Sequence, residues 1–378
     1  MKVTRVAVLW ESLAGYVQAA LRELVADGIS LLVVQRSHEA HAAYERHLGD
    51  GCEVIDISGG DRGVDLVARL RAFSPDVTLV TTNKDPRYYA AAAESRRLGA
   101  VTLWGSEIPP RELWRDAPGV ALARLGRLRH FDAALVAGAA SREYAHRVGF
   151  PNGRIFEGLL TCDADLFRPI GLARHRTREP ENRETPEPRN PGTSEPRNPR
   201  TWPPVFLFVG QFIPRKGLDV LLDAYRQYRS DRAAPWELWC AGGGPLKGSL
   251  DGQPGVRVFD FLAPRECAEL MGQAGALVLP SRVDHWGVVI HEAVCAGLPV
   301  IATRTSHASA DLVNEGRNGF IVEPDDAATL ADRLAACADD TRARTMGGRS
   351  LELSYRFDPT VFASLIAEQI PRMIRGRA

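Results

Sequence analysis

Two carboxylates lie eight positions apart in the segment that follows the apolar run Ala276–Leu279, which reads as a buried strand. Asp284 comes first and Glu292 second, while Gly287 marks where a helix should begin and Gly297 where it should end. Glu292 follows the first helical residues by three or four positions, so its side chain shares a face with the amides at the helix start. Such amides attract phosphate and carboxylates accept hydrogen bonds from hydroxyls, which suits a ligand that carries both, such as a nucleotide sugar.

This segment resembles the signature of retaining glycosyltransferases with the GT-B fold, specifically family 4, in which an acid and a Glu are separated by seven residues. The first acid of that signature is usually Glu, and here it is Asp284. The resemblance implies that Glu292 accepts hydrogen bonds from the donor's ribose hydroxyls, and that Asp284 accepts from the transferred sugar. It also implies that the amides of Gly287, Val288 and Val289 bind the donor phosphates.

A second segment, Val205–Ala224, resembles the first strand, loop and helix of the family's second domain. In the family, a basic residue just after Gly210 and a Lys five positions later hold the donor diphosphate. Lys216 matches the Lys, but Gln211 stands at the basic position, and Arg215 adds a cation beside Lys216. Cations here would stabilise the charge that builds on the leaving diphosphate. We therefore predict that both cations act in catalysis, together with the first acid of the signature.

A third segment, Trp239–Leu246 followed by Val256–Glu266, resembles the family's strand, glycine-rich turn and the stretch that packs against the donor's base. Phe261 and Leu262 fall where the base would lie. A plain turn followed by a plain strand is the alternative interpretation.

Four further residues are candidates for contacts with the sugar, the phosphates or the acceptor. Gly15 follows the first strand, where the family places a glycine-bearing loop near the donor phosphates. The family's usual His at the end of a later strand is not evident, and Asn83 falls in its place. Trp104 ends another strand and would either stack on a sugar or cap the core. His285 lies in the loop between the two acids of the signature.

Short apolar strands alternate with amphipathic helical stretches in both halves of the chain, the pattern of doubly wound parallel sheets. The fold class is therefore α/β, and the resemblance implies a GT-B arrangement of two Rossmann-like domains facing each other across a cleft. The predicted strands are Arg5–Trp10, Ser30–Gln35, Val77–Thr81, Ala100–Trp104, Ala133–Ala137, Val205–Val209, Glu237–Ala241, Val256–Phe259, Ala276–Leu279, Val300–Thr303 and Gly319–Val322.

The 378 residues are enough for two domains. We predict an N-terminal acceptor domain over residues 1–172 and a C-terminal donor domain over 205–357. Between them, 173–204 is dense in Pro, Arg and Glu and should be a disordered linker. A final helix over 358–378 would return to the first domain, as the resemblance implies.

The composition limits the classes of partner that the chain is expected to bind. The chain has 47 basic and 47 acidic residues, which argues against a nucleic-acid partner. A basic face at Arg124, Arg127 and Arg129 would allow at most weak peripheral contact with a membrane. The six cysteines are scattered without metal-like spacing, so we expect reduced thiols, a cytoplasmic location and neither cofactor nor metal.

These features favour a retaining hexosyltransferase that moves a sugar from a nucleotide-diphosphate donor to a glycan, a lipid-linked sugar or a small molecule. Two alternatives stay open. One is another GT-B-like enzyme, such as a sugar-nucleotide epimerase or a phosphorylase. The other is a non-catalytic subunit that binds a nucleotide sugar, which Gln211 and Asp284 favour because both depart from the family pattern.

Overall fold

The chain divides into two compact units. A computed structural model describes residues 3–36, 48–57, 64–81, 85–110, 120–121, 123, 126, 128–176, 202–230 and 232–376. The first unit consists of Met1–Ala164 and Arg356–Ala378, and the second of Asp165–Tyr355.

The first unit is built on a seven-stranded parallel sheet with the order β3-β2-β1-β4-β5-β6-β7. The central strands are buried along their whole length, as expected where helices cover both faces of a parallel sheet. The strands are β1 (Arg5–Trp10), β2 (Ser30–Gln35), β3 (Cys52–Asp56), β4 (Val77–Val80), β5 (Val101–Ser106), β6 (Ala133–Val136) and β7 (Ile155–Glu157). The helices between them are α1 (Gly15–Ala26), α2 (Leu66–Phe73), α3 (Pro86–Arg97) and α4 (Ala139–Val148).

The second unit has a six-stranded parallel sheet with the order β10-β9-β8-β11-β12-β13. Chain order reverses between β8 and β11, so loops at the carboxyl ends of these two strands meet at a switch point, where open α/β sheets bind ligands. The strands are β8 (Val205–Val209), β9 (Glu237–Ala241), β10 (Val256–Phe259), β11 (Ala276–Leu279), β12 (Val300–Thr303) and β13 (Gly319–Val322).

Eight helices are seen in the described residues of the second unit or leading into it. They are α5 (Ala164–His175), α6 (Leu218–Ser230), α7 (Lys247–Leu250), α8 (Pro264–Gln273), α9 (Val288–Cys295), α10 (Ser309–Leu312), α11 (Ala327–Cys337) and α12 (Asp340–Leu353). Helix α5 is tied to the second unit by Arg174, whose guanidinium donates to the carbonyl oxygens of Met271 and Ala274, both at 2.7 Å. Met271 lies in the last turn of α8 and Ala274 directly after it, so Arg174 supplies donors to carbonyls at the end of this helix, in addition to the Ala274 amide that donates to Met271 at 3.2 Å.

The chain ends back on the first unit. Helix α13 (Pro359–Ser364) packs against α1 and continues through a π-helical turn into α14 (Ile370–Arg375). Asp358 caps α13 by accepting from the Thr360 amide at 3.0 Å. The guanidinium of Arg375 donates to the Asp76 carbonyl at 3.3 Å and so anchors the last turn.

The predicted fold class, α/β with two doubly wound sheets, is confirmed. All six strands predicted in the second half have the bounds found in the structure. Beyond the predicted strands, β3 and β7 form the two edges of the first sheet. The first division between units falls after Ala164 rather than at 172, because α5 packs on the second unit, and most of the predicted linker lies outside the described residues.

Candidate functional site

The loop from β11 to α9 carries the first acid of the signature and the start of the helix. Gly287 precedes α9 with φ 88°, a left-handed conformation that favours glycine. A Cβ at Gly287 would lie 3.3 Å from Cδ2 of Leu279 and 3.8 Å from Oδ2 of Asp284. No side chain caps the helix start, so the first amides of α9, at Val288 and Val289, face the loop half-buried. The structure thus places the expected anion-binding end of a helix beside Asp284.

Lys216 and Asp284 form a buried ion pair. Nζ of Lys216 lies 2.5 Å from Oδ2 of Asp284, and their side chains are 11% and 13% exposed. Lys216 ends a 3₁₀ turn, Pro214–Lys216, that follows β8. The pair therefore joins the β8 and β11 loops at the switch point, and brings together two residues predicted separately from sequence.

A glycine lets these two loops approach each other. Gly217 has φ 68°, and a Cβ there would lie 2.1 Å from the carbonyl oxygen of Pro280. Any larger residue would force the turn that carries Lys216 away from β11. In this Lys-Gly sequence, Gly217 is needed for the packing of the two loops, and Lys216 supplies the charge that pairs with Asp284.

The loop after β12 supports Asp284 from its other side. The amide of Asp284 donates to the Thr305 carbonyl at 3.0 Å, and Asp284 forms an isolated parallel bridge with Ser306. The hydroxyls of Thr303 and Thr305 donate to the Ser281 carbonyl at 2.6 and 2.7 Å. The backbone of Asp284 is therefore held against the loop after β12, while its carboxylate accepts from Lys216 of the β8 loop.

Two histidines flank Asp284, and sequence reasoning identified only one of them. His285, the predicted one, is exposed. His307 is half-buried, and its amide donates to the Asp284 carbonyl at 3.4 Å. Burial lowers the pKa of His307, the charge of His285 lowers it further, and Asp284 acts in the opposite direction. His307 lies 23 residues after Asp284 in the sequence, and only the parallel pairing of β11 with β12 brings it close.

Glu292 lies in the second turn of α9 and is half-buried. Its charge reaches Cys267 of α8, because the pKa of that thiol is raised first by burial and then by Glu292. Glu292 lies on the same short helix as the amides predicted to bind phosphate, four residues after Val288, as the spacing predicts.

Gly210, Gln211 and Arg215 border the pair. Gly210 leaves β8 with its amide donating to Ala241 at 3.0 Å, and a Cβ on it would come within 3.9 Å of Cε of Lys216. Gln211 and Arg215 are exposed, and Nη1 of Arg215 donates to the Val283 carbonyl at 3.4 Å. Arg215 therefore reaches toward the β11 loop, whereas an uncharged side chain occupies the position after Gly210.

Phe261 and Leu262 follow β10 at the same edge of the sheet. Phe261 is 60% exposed, which is unusual for a Phe and leaves one ring face available for stacking. Leu262, the next residue, is half-buried. Asp260, the residue before Phe261, forms an ion pair with Lys247, whose Nζ lies 2.5 Å from Oδ1 of Asp260.

Three of the predicted site residues, Gly15, Asn83 and Trp104, belong to the first unit. Gly15 is the first residue of α1, at the carboxyl end of β1. Trp104 is 5% exposed and stacks on Phe150 with ring centroids 5.6 Å apart. Of the two interpretations of this residue, the structure supports a place in the core and does not support a contact with a sugar. Asn83 lies outside the described residues.

Among the described helices, none combines the length and the apolar character needed to cross a membrane.

Comparison with known proteins adds the family. The model for the family described as "Glycosyl transferases group 1" matches residues 203–340, which span both site loops. The second unit therefore resembles the group 1 glycosyltransferases over these residues, and the chain as a whole has the GT-B fold. The matched residues contain the Lys216 turn, the β11 loop and α9, all of which lie in the second unit.

Individual relatives agree with this family. D-inositol 3-phosphate glycosyltransferase of Corynebacterium efficiens is 31% identical over 43% of this chain and 42% of its own length. An uncharacterized glycosyltransferase of Methanocaldococcus jannaschii is 28% identical over 40% of this chain and 43% of its own. The chain thus aligns with less than half the length of these relatives. The structure of HepE from Anabaena with UDP covers 97% of this chain and 99% of its own, with a TM-score of 0.68 at 18% identity.

Proposed function

We propose that this chain is a group 1 glycosyltransferase of the retaining, family 4 type, which moves a hexosyl group from a nucleotide-diphosphate sugar to an acceptor. The observation that carries the proposal is the buried pair of Lys216 and Asp284 at the switch point, beside the uncapped start of α9. Few other roles need a lysine, a carboxylate and a helix start at one point. The acceptor class is a glycan, a lipid-linked sugar or a small molecule, and the proposed location is the cytoplasm.

The donor diphosphate binds at the positive side of the site. Nζ of Lys216 and the amides of Gly287, Val288 and Val289 supply the donors, and the exposed guanidinium of Arg215 adds charge at the rim. These groups stabilise the negative charge that develops on the leaving diphosphate more strongly than they stabilise the bound donor. In this proposal they replace a metal ion, and no cofactor takes part.

Two carboxylates orient the sugar portions of the donor. Asp284 accepts from hydroxyls of the transferred sugar, and Glu292 accepts from both ribose hydroxyls. The exposed ring of Phe261 packs on the base. The acceptor attacks the face of the sugar from which the diphosphate leaves, and the leaving phosphate takes the acceptor's proton, so configuration is retained.

Uridine donors are the first to test. HepE of Anabaena, which shares the fold, is known in complex with UDP-glucose. The shared fold supports a nucleotide-sugar donor for this chain and leaves the base and sugar to experiment.

The test is a panel of UDP-, GDP-, ADP- and dTDP-sugars, with thermal shift and released nucleotide measured together. Wild type is compared with Glu292→Ala and with Glu269→Ala, a matched control that removes an exposed acid from the surface of α8. We expect one donor to stabilise wild type and the control, to be hydrolysed slowly by both, and to do neither with Glu292→Ala. Equal behaviour of all three proteins toward every donor would contradict the proposal.

One observation favours a second function, a non-catalytic subunit that binds a nucleotide sugar. Gln211 is exposed and uncharged where the family carries a cation, and Lys216 is already neutralised by Asp284. Stabilisation by a donor without turnover, even with candidate acceptors present, would support that function instead.

A further inference from the structure

One arginine next to the site joins three segments of the second unit: the turn after β8, the β11 loop and the turn after β13. The guanidinium of Arg282 donates to Oδ1 and Oδ2 of Asp219 at 2.9 and 2.6 Å, and to Oδ1 of Asp325 at 2.6 Å. It also donates to the carbonyl of Pro214 at 2.6 Å. In addition, the amide of Arg282 donates to the Arg215 carbonyl at 2.8 Å.

These contacts converge on the two loops that carry the ion pair. Pro214 opens the turn that ends at Lys216, and Asp219 lies in the first turn of α6 directly after it. Arg282 itself is two residues before Asp284 in the β11 loop. Asp325, after β13, supplies a further acceptor, and a guanidinium is suited to such a set because its five N–H groups can bond several acceptors at once.

The cluster differs from an ordinary surface pair. Isolated exposed ion pairs contribute little because solvent screens them and the side chains lose freedom. Here the Arg282 side chain is 29% exposed and makes a bidentate contact, a second carboxylate contact and a backbone contact at once. The Arg282 guanidinium also holds the pKa of Asp219 below its usual range, so the charges are present throughout the neutral range.

We propose that Arg282 is a positioning residue: it holds the Lys216 turn and the Asp284 loop in register, so that Nζ of Lys216 meets the donor diphosphate at the distance that the transition state requires. The inference rests on the proposed function of that site. Arg282 contacts neither of the two residues through its side chain, and acts through Pro214 and Asp219 on one loop and its own backbone on the other.

Two measurements test it, on Arg282→Ala, Arg282→Lys and a matched control, Arg226→Ala. Arg226 also bonds two acceptors, Asp223 at 2.7 Å and Gln253 at 3.2 Å, but on the outer face of α6. The first measurement compares kcat of donor hydrolysis with Kd for the nucleoside diphosphate alone. The second is the rate at which acetic anhydride acetylates Lys216 in the ligand-free protein, read by mass spectrometry with Lys247 as internal reference.

We expect Arg282→Ala to lower kcat by about 10- to 100-fold while Kd changes less than about threefold, because small misplacements reduce the rate more than ground-state binding. Lys216 should be acetylated several-fold faster. Arg282→Lys should recover little of either, since an ammonium cannot bond two carboxylates and a carbonyl in one plane. Arg226→Ala should behave as wild type.

Unchanged kcat and unchanged Lys216 protection in Arg282→Ala would overturn the proposal while leaving the proposed function intact. If wild type turns over no donor, the proposed function fails, and the acetylation rate alone then decides whether Arg282 holds Lys216 in place. Should Arg282→Ala not fold, Asp219→Asn and Asp325→Asn remove one anchor each. They should shift both readouts in the same direction, and wild-type values in both would refute the positioning role.

Discussion

Replacing Lys216 with Met leaves the carboxylate of Asp284 buried without its counter-ion. The two side chains are 11% and 13% exposed, and their charged atoms are 2.5 Å apart, so each depends on the other for solvation. Met keeps most of the volume of the Lys stem, so little cavity is created. The substitution therefore tests the electrostatics of the pair rather than its packing.

The size of the effect follows from burial. Removing one partner of a buried ion pair costs about 3–5 kcal/mol, and slight exposure of this pair places Lys216→Met near 3 kcal/mol, about a hundredfold in the unfolding equilibrium. Asp284→Asn should cost about 2 kcal/mol, because the long Lys stem lets its ammonium turn toward water. The double variant carries no buried charge and should also lose only about 2 kcal/mol, which gives a coupling energy of about 3 kcal/mol.

Native-state hydrogen exchange of amides in β8 and β11 is the suitable assay. The chain has two units, so a single global transition cannot be assumed, whereas these amides report on the second unit alone. Protection of β1 in the first unit serves as the internal control. If Lys216→Met kept wild-type protection in β8 and β11, or the double variant lost the sum of both single effects, the pair would contribute no coupling and the reasoning would be wrong.

Three other predictions concern the same edge of the second sheet. Phe261→Ala should raise the KM for the donor about tenfold, since aromatic stacking on a base contributes about 1–3 kcal/mol, and should leave the melting temperature unchanged because the ring is exposed; unchanged kinetics would remove Phe261 from the site. Gln211→Arg should tighten binding of the nucleoside diphosphate severalfold at low salt and less at high salt, whereas Gln227→Arg, on the surface of α6, should not; equal effects of the two would mean that only net charge matters. Because burial lowers the pKa of His307, the unfolded chain takes up the proton first as pH falls, so the melting temperature of the second unit should decrease between pH 7 and pH 5; His307→Asn should flatten that decrease, and an identical slope in the variant would show that His307 does not cause it.

The second sheet was predictable from sequence to its strand bounds, because five of its six strands are short runs with several buried residues between turn signals, and the partly buried β10 is still a short, mostly apolar run, Val-Arg-Val-Phe. Two strands of the first sheet were not. In β3 (Cys52–Asp56) no residue is fully buried, and β7 (Ile155–Glu157) is only three residues long. Both are edge strands, and neither carries a run of buried apolar residues long enough to predict a strand, whereas the edge strands β10 and β13 of the second sheet are mostly apolar runs of four residues.

The site shows the same division. Asp284 and Glu292 could be predicted from their spacing around one helix start, and Lys216 from the resemblance of its strand, loop and helix unit to the family's. The position of His307 and the contacts of Arg282 could not be predicted in this way, because they depend on which strands are neighbours and on the distance between the loops that follow them. Arg282 meets Asp219 across 63 positions and Asp325 across 43. Side-chain geometry across such separations cannot be read from periodicity.

The two departures from the family pattern have one physical consequence. In the ligand-free protein Lys216 is balanced by Asp284, and the position that would hold a second cation is an uncharged Gln211. A diphosphate that binds here must therefore take Lys216 from Asp284, which frees the carboxylate to accept hydroxyls of the sugar attached to that diphosphate. A free nucleotide would take the Lys without offering hydroxyls in return and would leave Asp284 unsatisfied in a nearly buried position. Asp284 has a shorter side chain than the Glu usual in the family, and its pairing with Lys216 has a further effect. On this reasoning, the intact donor, with both phosphate and sugar, is the ligand that satisfies both members of the pair.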